Sequence, residues 1–317
     1  MNQNRRKFIK TVAAATAAIP ITSALGNKFP SPPETRFPLR LFSKPLDNYD
    51  FGFICESTLK SGIGGLDLTV RPGGKLEPAM AESELPKLIN EAKKYNLAFD
   101  MMVSGIVSAS DPLTEKVLKA ASSAGIKYYR FGYLEFDYKE GIWESLQKHK
   151  ETMKQIADLN RKYNIHGAYQ NHAGTRVGGA VWDLYELFRG LSPEFTGCQY
   201  DVRHAMVEGT NSWVLGMRLM APYIKTLAIK DFTWVTVSGK PKPVTVPMGE
   251  GMINWDLFFQ TVKELNITGP LTLHAEYPLL EKGEEKLPLA QQQEIIVRKL
   301  KKDTDFINGY LIKYKLI

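Results

Sequence analysis

Gln199-Tyr200-Asp201-Val202-Arg203-His204 sets an acid and a histidine three residues apart at the end of a short β-rich run. The turn-like Ser192-Pro193-Glu194 precedes it, and a Gly209-Thr210-Asn211 break follows. Read as a strand running into a loop, it puts the Asp201 carboxylate at the strand terminus and the His204 imidazole on the chain leaving it. In parallel α/β folds, ligands gather at the carboxyl ends of the strands. The reading stands if other strands bring polar groups to the same end.

Outward from this stretch the pattern alternates strand and helix with a period of about 30 residues. Strands are expected at residues 39–45, 65–71, 98–105, 127–132, 166–172, 197–201, 224–231 and 269–277. Between them fall helical patterns at 49–60, 82–95, 111–124, 140–163, 181–189, 213–220 and 254–265, and a long amphipathic one closes the chain at 287–314. In the second, Leu85, Leu88, Ile89 and Ala92 share one face, as 3.6 residues per turn requires. Asp111-Pro112 supplies an N-cap and a proline at the first helical position. Pro- and Gly-rich residues 238–247 read as a long loop. Eight strand–helix pairs with crossover helices require a parallel sheet, and eight strands close a barrel. The fold class is therefore a single (β/α)8 TIM barrel over residues 38–317. The alternative, an open doubly wound sheet, lacks the Gly-rich dinucleotide loop it would carry.

The chain has 317 residues, with 44% hydrophobic and 11% aromatic, enough for a sizeable core. Residues 1–26 read as a leader. Asn4-Arg5-Arg6-Lys7-Phe8-Ile9-Lys10 resembles a twin-arginine export motif, and a short Ala-rich apolar run follows. That run is too short for a comfortable membrane span. A periplasmic location with no stable membrane insertion is the expectation, with a Pro-rich linker over 27–37. The leader carries four of the basic residues and none of the acidic ones, so the net charge of +7 falls to +3 without it. No basic stripe remains, which argues against nucleic acid as a partner. Cys55 and Cys198 lie in separate buried elements and are expected as two free thiols.

Side chains two apart share a strand face. Gln170 aligns with His172, Gln199 with Asp201, Ala228 with Lys230, and His274 with Glu276. Thr69 aligns with Arg71, Tyr128 with Arg130, and Phe42 with Lys44. Seven of the eight strands thus offer a polar residue toward one barrel mouth. Asp201, His204, Glu276 and Lys230 are the candidate catalytic groups. His172, Gln170, Arg130, Arg71 and His274 are candidate substrate contacts, with Lys44 as a further barrel-mouth cation. Trp234 is the one tryptophan placed to stack on a sugar face, whereas Trp182, Trp213 and Trp255 read as packing.

Taken in order, Tyr169-Gln170-Asn171-His172, Tyr200-Asp201-x-x-His204, Ile229-Lys230-Asp231, Gly249-x-Gly251-x-x-x-Trp255 and His274-x-Glu276 resemble the xylose isomerase-like barrels. These include sugar phosphate isomerases and epimerases, inosose dehydratase and endonuclease IV. Residues 169–175 look most like inosose dehydratase-type members. The resemblance implies one divalent metal ion (Mn, Mg, Co or Zn) held by Glu, Asp, His and Glu from strands five to eight. Asp201 and Glu276 match two of these positions, while Gln170 and Ala228 stand at the others. A neutral amide is a feeble ligand for a hard cation and alanine is none. Two arrangements stay open: a metal on Asp201, Glu276 and a histidine such as His204, or Lys230 with Arg130 as fixed cations.

The resemblance implies a sugar isomerase or epimerase that removes a proton next to the carbonyl of a keto- or aldo-sugar, a small-molecule substrate; the leader adds export, and a homo-oligomer is possible. A keto-sugar dehydratase or lyase shares the same enediolate. A non-catalytic sugar-binding barrel with a decayed metal site is the rival from another class, favoured by Gln170 and Ala228.

Overall fold

The computed structural model describes residues 36–317. The expected leader at 1–26 and most of the linker lie outside them. In chain order the elements are β1 (Leu39–Phe42), α1 (Phe51–Lys60), β2 (Gly65–Val70), α2 (Ala81–Lys94), β3 (Ala98–Ser104), α3 (Pro112–Ser123) and β4 (Tyr128–Arg130). There follow α4 (Ile142–Tyr163), β5 (His166–Gln170), α5 (Val181–Phe188), β6 (Thr196–Asp201), α6 (Val202–Gly209), α7 (Trp213–Met220) and β7 (Ile224–Ile229). The chain ends with β8 (Asp231–Val237), β9 (Lys240–Val246), α8 (Trp255–Glu264), β10 (Leu271–Leu273) and α9 (Leu289–Lys313). Eight parallel strands close a barrel in the order β1-β10-β7-β6-β5-β4-β3-β2. The expected TIM barrel is the fold.

Strand alternation divides the buried residues into two layers. Tyr129, Tyr169 and Tyr200, from adjacent strands, are fully buried. Each tyrosine hydroxyl finds a partner there: Tyr129 donates to Asn160 Oδ1 at 2.8 Å, Tyr169 to the Val177 carbonyl at 3.1 Å, and Tyr200 to the Trp213 carbonyl at 2.7 Å. These bonds satisfy the phenols that burial would otherwise leave unpaired. The alternate positions carry Arg130, Gln170 and Asp201, all buried polar groups. Cys55 and Cys198 are buried free thiols, as expected.

Three departures from the expected pattern bear on the site. First, a helix, α6, starts immediately after β6. The Asp201 carboxylate caps it by accepting from the His204 backbone N–H at 3.1 Å, so His204 stands in a helical first turn and not on a loop. Second, β10 pairs over only three residues. The His274 N–H still reaches the Ile229 carbonyl, but the Glu276 N–H then folds back onto the His274 carbonyl at 2.7 Å. His274 and Glu276 therefore lie on the turn beyond the strand. Third, residues 238–247, expected as loop, belong to an antiparallel hairpin of β8 and β9. Ser238 and Gly239, both at positive φ, make the two-residue turn that matches strand twist. Pro241 and Pro243 face Thr236 and Trp234 in register, alternate positions whose missing N–H groups cost the ladder nothing.

Candidate active site

The carboxyl ends of the strands enclose a cavity of about 270 Å³. Of the residues singled out in the sequence, Arg71, Arg130, Gln170, His172, Lys230, His274 and Glu276 line it, together with Lys44, Phe42, Tyr133 and Arg176. Asp201 and His204 do not; they stand directly behind the wall, almost wholly buried. Trp234 lies on the exposed face of β8, set edge-on against Phe232, and is not among the lining residues. A larger cleft of about 440 Å³ adjoins the cavity and shares Lys44 and Glu276 with it. Size favours the cleft, but the charged groups converge on the smaller cavity, and chemistry follows the charge.

At the floor sits a Lys230 ammonium between two carboxylates, 2.9 Å from Glu276 Oε2 and 3.3 Å from Asp201 Oδ2. Burial alone would depress its pKa; the two acids outweigh that and hold it raised. Burial works against Glu276 ionising, yet the His274 imidazole at 3.6 Å and the Lys230 ammonium hold its carboxyl well below the usual range. The other Glu276 oxygen accepts from Lys44 at 3.0 Å.

Gln170 ties this floor to the wall. Its Oε1 accepts from Arg130 and from the Tyr133 hydroxyl, each at 2.7 Å, and its Nε2 donates to Asp201 Oδ2 at 2.7 Å. A guanidinium only donates and a carboxylate only accepts, so the amide has one orientation that satisfies all three neighbours. Asn171 clamps the Asp201 backbone from the same side, accepting from its N–H at 2.8 Å and donating to its carbonyl at 2.9 Å. Arg130 also packs over Phe42 and Tyr133, with its guanidinium carbon 5.8 and 5.0 Å from the ring centroids.

The three histidines are neutral for a shared reason. Burial first, and then the Lys230 charge, lowers the pKa of His172 and lowers that of His204 well below 6.5. His274, stacked on Phe42 at 4.2 Å, is pushed down to about 4, again mainly by burial. His204 Nδ1 lies 3.0 Å from the Arg203 guanidinium and must accept from it. Its proton is therefore on Nε2, 3.8 Å from Asp201 Oδ2. His172 lies 3.9 Å from His204, ring centre to ring centre. Its Nδ1 donates to the Ala173 carbonyl at 2.9 Å, which leaves Nε2 with its lone pair. Of this pair only His172 belongs to the cavity wall, so it, and not His204, is the imidazole a ligand meets.

The donor set does not fit the divalent ion that the family resemblance implies. Gln170 turns its amide nitrogen, not its oxygen, toward Asp201. Ala228 offers no donor, and the space between Asp201 and Glu276 is taken by the ammonium of Lys230. Among the described residues no group of three or more His, Cys, Asp or Glu is arranged to hold a metal. The arrangement of Asp201, Glu276 and His204 around an ion is thus displaced by a lysine.

Tyr133, Arg176 and Asn171 complete the site without having been singled out for it. Tyr133 follows Arg130 by three residues, on the chain leaving β4, and Arg176 directly follows the Asn171–Thr175 run. Both occupy segments after strand ends, where a polar residue merited the same attention as those on the strands.

The profile of the xylose isomerase-like TIM barrel family matches residues 56–298. The chain belongs to that family. No curated protein matches the sequence. Solved structures similar in fold include the D-allulose 3-epimerase of Methylomonas sp. at 13% identity, TM-score 0.63, covering 88% of this chain and 99% of that one. The D-psicose 3-epimerase of Clostridium cellulolyticum H10, solved with D-tagatose, gives 12%, 0.66, 87% and 99%. The IOLI protein, solved with a zinc atom, gives 17%, 0.65, 86% and 99%. Each of these structures shares the barrel with this chain.

Proposed function

We propose that this xylose isomerase-like protein is a sugar isomerase or epimerase that removes a proton next to a carbonyl, with Lys230 serving as the cation that the family resemblance assigns to a metal. The observation that carries the reading is the ammonium fixed between Asp201 and Glu276 on a cavity floor that also offers Arg130. A carbonyl oxygen lying against Lys230 and Arg130 gains charge as its neighbouring C–H is broken, and preorganised cations stabilise that charge most in the transition state. Glu276 and His172 are the two groups on the wall able to carry the proton. β10 and β5, from whose ends they come, lie three steps apart around the ring, so they approach a bound sugar from different sides. The proton leaves carbon to one of them, the electron pair moves onto the carbonyl oxygen, and return of a proton from the other side inverts the carbon. Return to the adjacent carbon isomerises it. Loss of a β-hydroxyl from the same enediolate gives the dehydratase alternative.

The experiment is solvent deuterium incorporation into candidate ketoses, with and without prior chelation. Exchange that survives chelation and disappears in Lys230→Met supports the reading. Exchange that chelation removes and a divalent ion restores refutes the role given to Lys230. The second reading, a binding barrel without turnover, is favoured by Gln170 and Ala228; sugar binding with no exchange in any candidate would establish it. We further infer export to the periplasm from the arginine pair at Arg5-Arg6, to be tested by fractionation and by Arg5→Lys/Arg6→Lys.

A further inference from the structure

The cavity wall is unbalanced in charge. Lys44, Arg71, Arg130, Arg176 and Lys230 line it, against the single carboxylate of Glu276. Most of these cations have a partner that explains them. Lys44 and Lys230 share Glu276, and Lys230 also meets Asp201. Arg130 is used on the neutral oxygens of Gln170 and Tyr133. Arg176 pairs at 2.7 Å with Glu135 on the outer surface. Arg71 is the exception: it is half-buried at the mouth, and its guanidinium has no hydrogen bond or ion pair among the described residues. Asp47, whose charge it feels, is instead held by the hydroxyls of Ser43 at 2.8 Å and Thr69 at 2.7 Å.

A planar fork of five donors that faces the mouth with no protein partner, beside a second guanidinium, is open to take a planar anion. The Lys230 charge adds to the lowering of all three histidine pKa values, behind burial. A neutral sugar would leave this positive potential uncompensated. We propose that the substrate is an acidic sugar, of the uronate class, whose carboxylate docks on Arg71 at the mouth while its carbonyl end lies against Lys230. One free guanidinium matches one negative charge, and the fork matches the planar carboxylate in a bidentate manner. This assignment rests on the proposed proton-transfer reading for the orientation of the ligand, but its test is one of binding.

Calorimetric titration of the full chain with glucuronate, galacturonate, glucose and glucose 6-phosphate separates the outcomes. The expected result is that a uronate binds about tenfold or more tightly than the neutral hexose, and that added salt erodes this margin. Arg71→Gln should shrink the uronate-to-hexose ratio by about the same factor while the melting temperature stays near wild type. Arg71→Lys keeps the charge without the fork and should recover only part of the ratio. Equal binding of uronate and hexose, or a ratio indifferent to Arg71→Gln, overturns the proposal. Tighter binding of the phosphate ester than of either uronate overturns its carboxylate assignment. Uronate preference without deuterium exchange in any sugar would sink the proton-transfer reading and leave this one standing. Exchange in neutral ketoses with no acid preference would do the reverse.

Discussion

Replacing Lys230 by methionine tests the central feature of the site at the level of stability, independently of any substrate. The side chain is 4% exposed, and its two partners are 0% (Asp201) and 23% (Glu276) exposed. At an effective dielectric constant of about 20, a unit charge pair near 3 Å is worth about 5 kcal/mol before desolvation. Two such pairs offset the several kcal/mol that burying each ion costs. Methionine fills the volume but leaves the buried Asp201 carboxylate without a cation and Glu276 with the half-exposed Lys44 alone. Breaking a buried pair in this way costs about 3–5 kcal/mol, a fall in melting temperature of roughly 6–15 °C for a domain of this size. The deficit depends on pH with a defined sign. In the wild type the Glu276 pKa is depressed, so its contribution is present above the ordinary carboxylate value and persists far into acid. Lys230→Met removes that ammonium's share of the depression and leaves the share of His274, so Glu276 protonates at a higher pH than in the wild type, which relieves the repulsion, and the two proteins converge in acid. Urea unfolding at pH 7 and pH 4.5 reads both quantities. A loss under about 1 kcal/mol, as for an exposed ion pair, or a deficit that widens in acid, would refute the reasoning.

Three further outcomes follow from other groups. Asp67, inside the barrel with only Thr272 donating to it, is pushed up to about 6 by burial. Its protonated form favours folding, fully below the unfolded value near 3.8 and lost as pH rises through 6, so Asp67→Asn should remove about 3 kcal/mol of stability slope between those limits; an unchanged slope in urea titrations contradicts this. Asp303, raised to about 6 by burial, keeps its own share of that slope in the variant. Gly251→Ala places a methyl 2.1 Å from Asp231 Oδ1 and 2.4 Å from the Phe232 carbonyl, and should destabilise by about 1–3 kcal/mol or more; a variant that melts with wild type removes the role given to that glycine. Because burial and Lys230 hold His172 below 6.5, the acid limb of the pH–rate profile should fall below that value and disappear in His172→Gln. A limb at or above 6.5, or one that survives the substitution, assigns the titration elsewhere.

The barrel was legible because its signals are local and repeated. Apolar alternation, the capped helix start at Asp111, and crossover spacing each constrain topology by themselves. The hairpin over Asp231–Val246 was not, because Gly239, Pro241 and Pro243 are read as breakers until the register shows the glycine in the turn and the two prolines at alternate ladder positions. At the site, strand parity brought Arg130, Gln170, Lys230 and Glu276 to one mouth. It did not separate a residue on the cavity wall from one just behind it, which is why Asp201 and His204 looked more exposed to substrate than they are. That distinction depends on side-chain depth of a few ångströms, set by Gln170 and Asn171 from the neighbouring strand. The metal question shows the same limit: Gln170 and Ala228 reveal lost donors, but only the geometry shows an ammonium in their place.

Two of the motifs by which this chain resembles its family meet through Asp231 in the scaffold and not in the cavity. Asp231 is fully buried and accepts five hydrogen bonds: from the backbone N–H groups of Phe232, Gly249, Gly251 and Ile253, and from the indole of Trp255, at 2.8 to 3.3 Å. The Lys-Asp pair after the seventh barrel strand and the Gly249-x-Gly251-x-x-x-Trp255 run are thus one device, a carboxylate gathering the return of the hairpin and the start of α8. Gly251 is glycine because the carboxylate leaves no room for a Cβ. A charged group satisfied by five donors is costly to lose, so this device constrains the sequence whatever the cavity binds. The metal donors carry no such structural duty: Gln170 and Lys230 fill the floor with hydrogen bonds and ion pairs of their own. The same fold could therefore exchange a bound ion for a covalently attached cation while keeping its signature, and family membership by itself fixes the barrel and leaves the cation to be read from Gln170, Ala228 and Lys230.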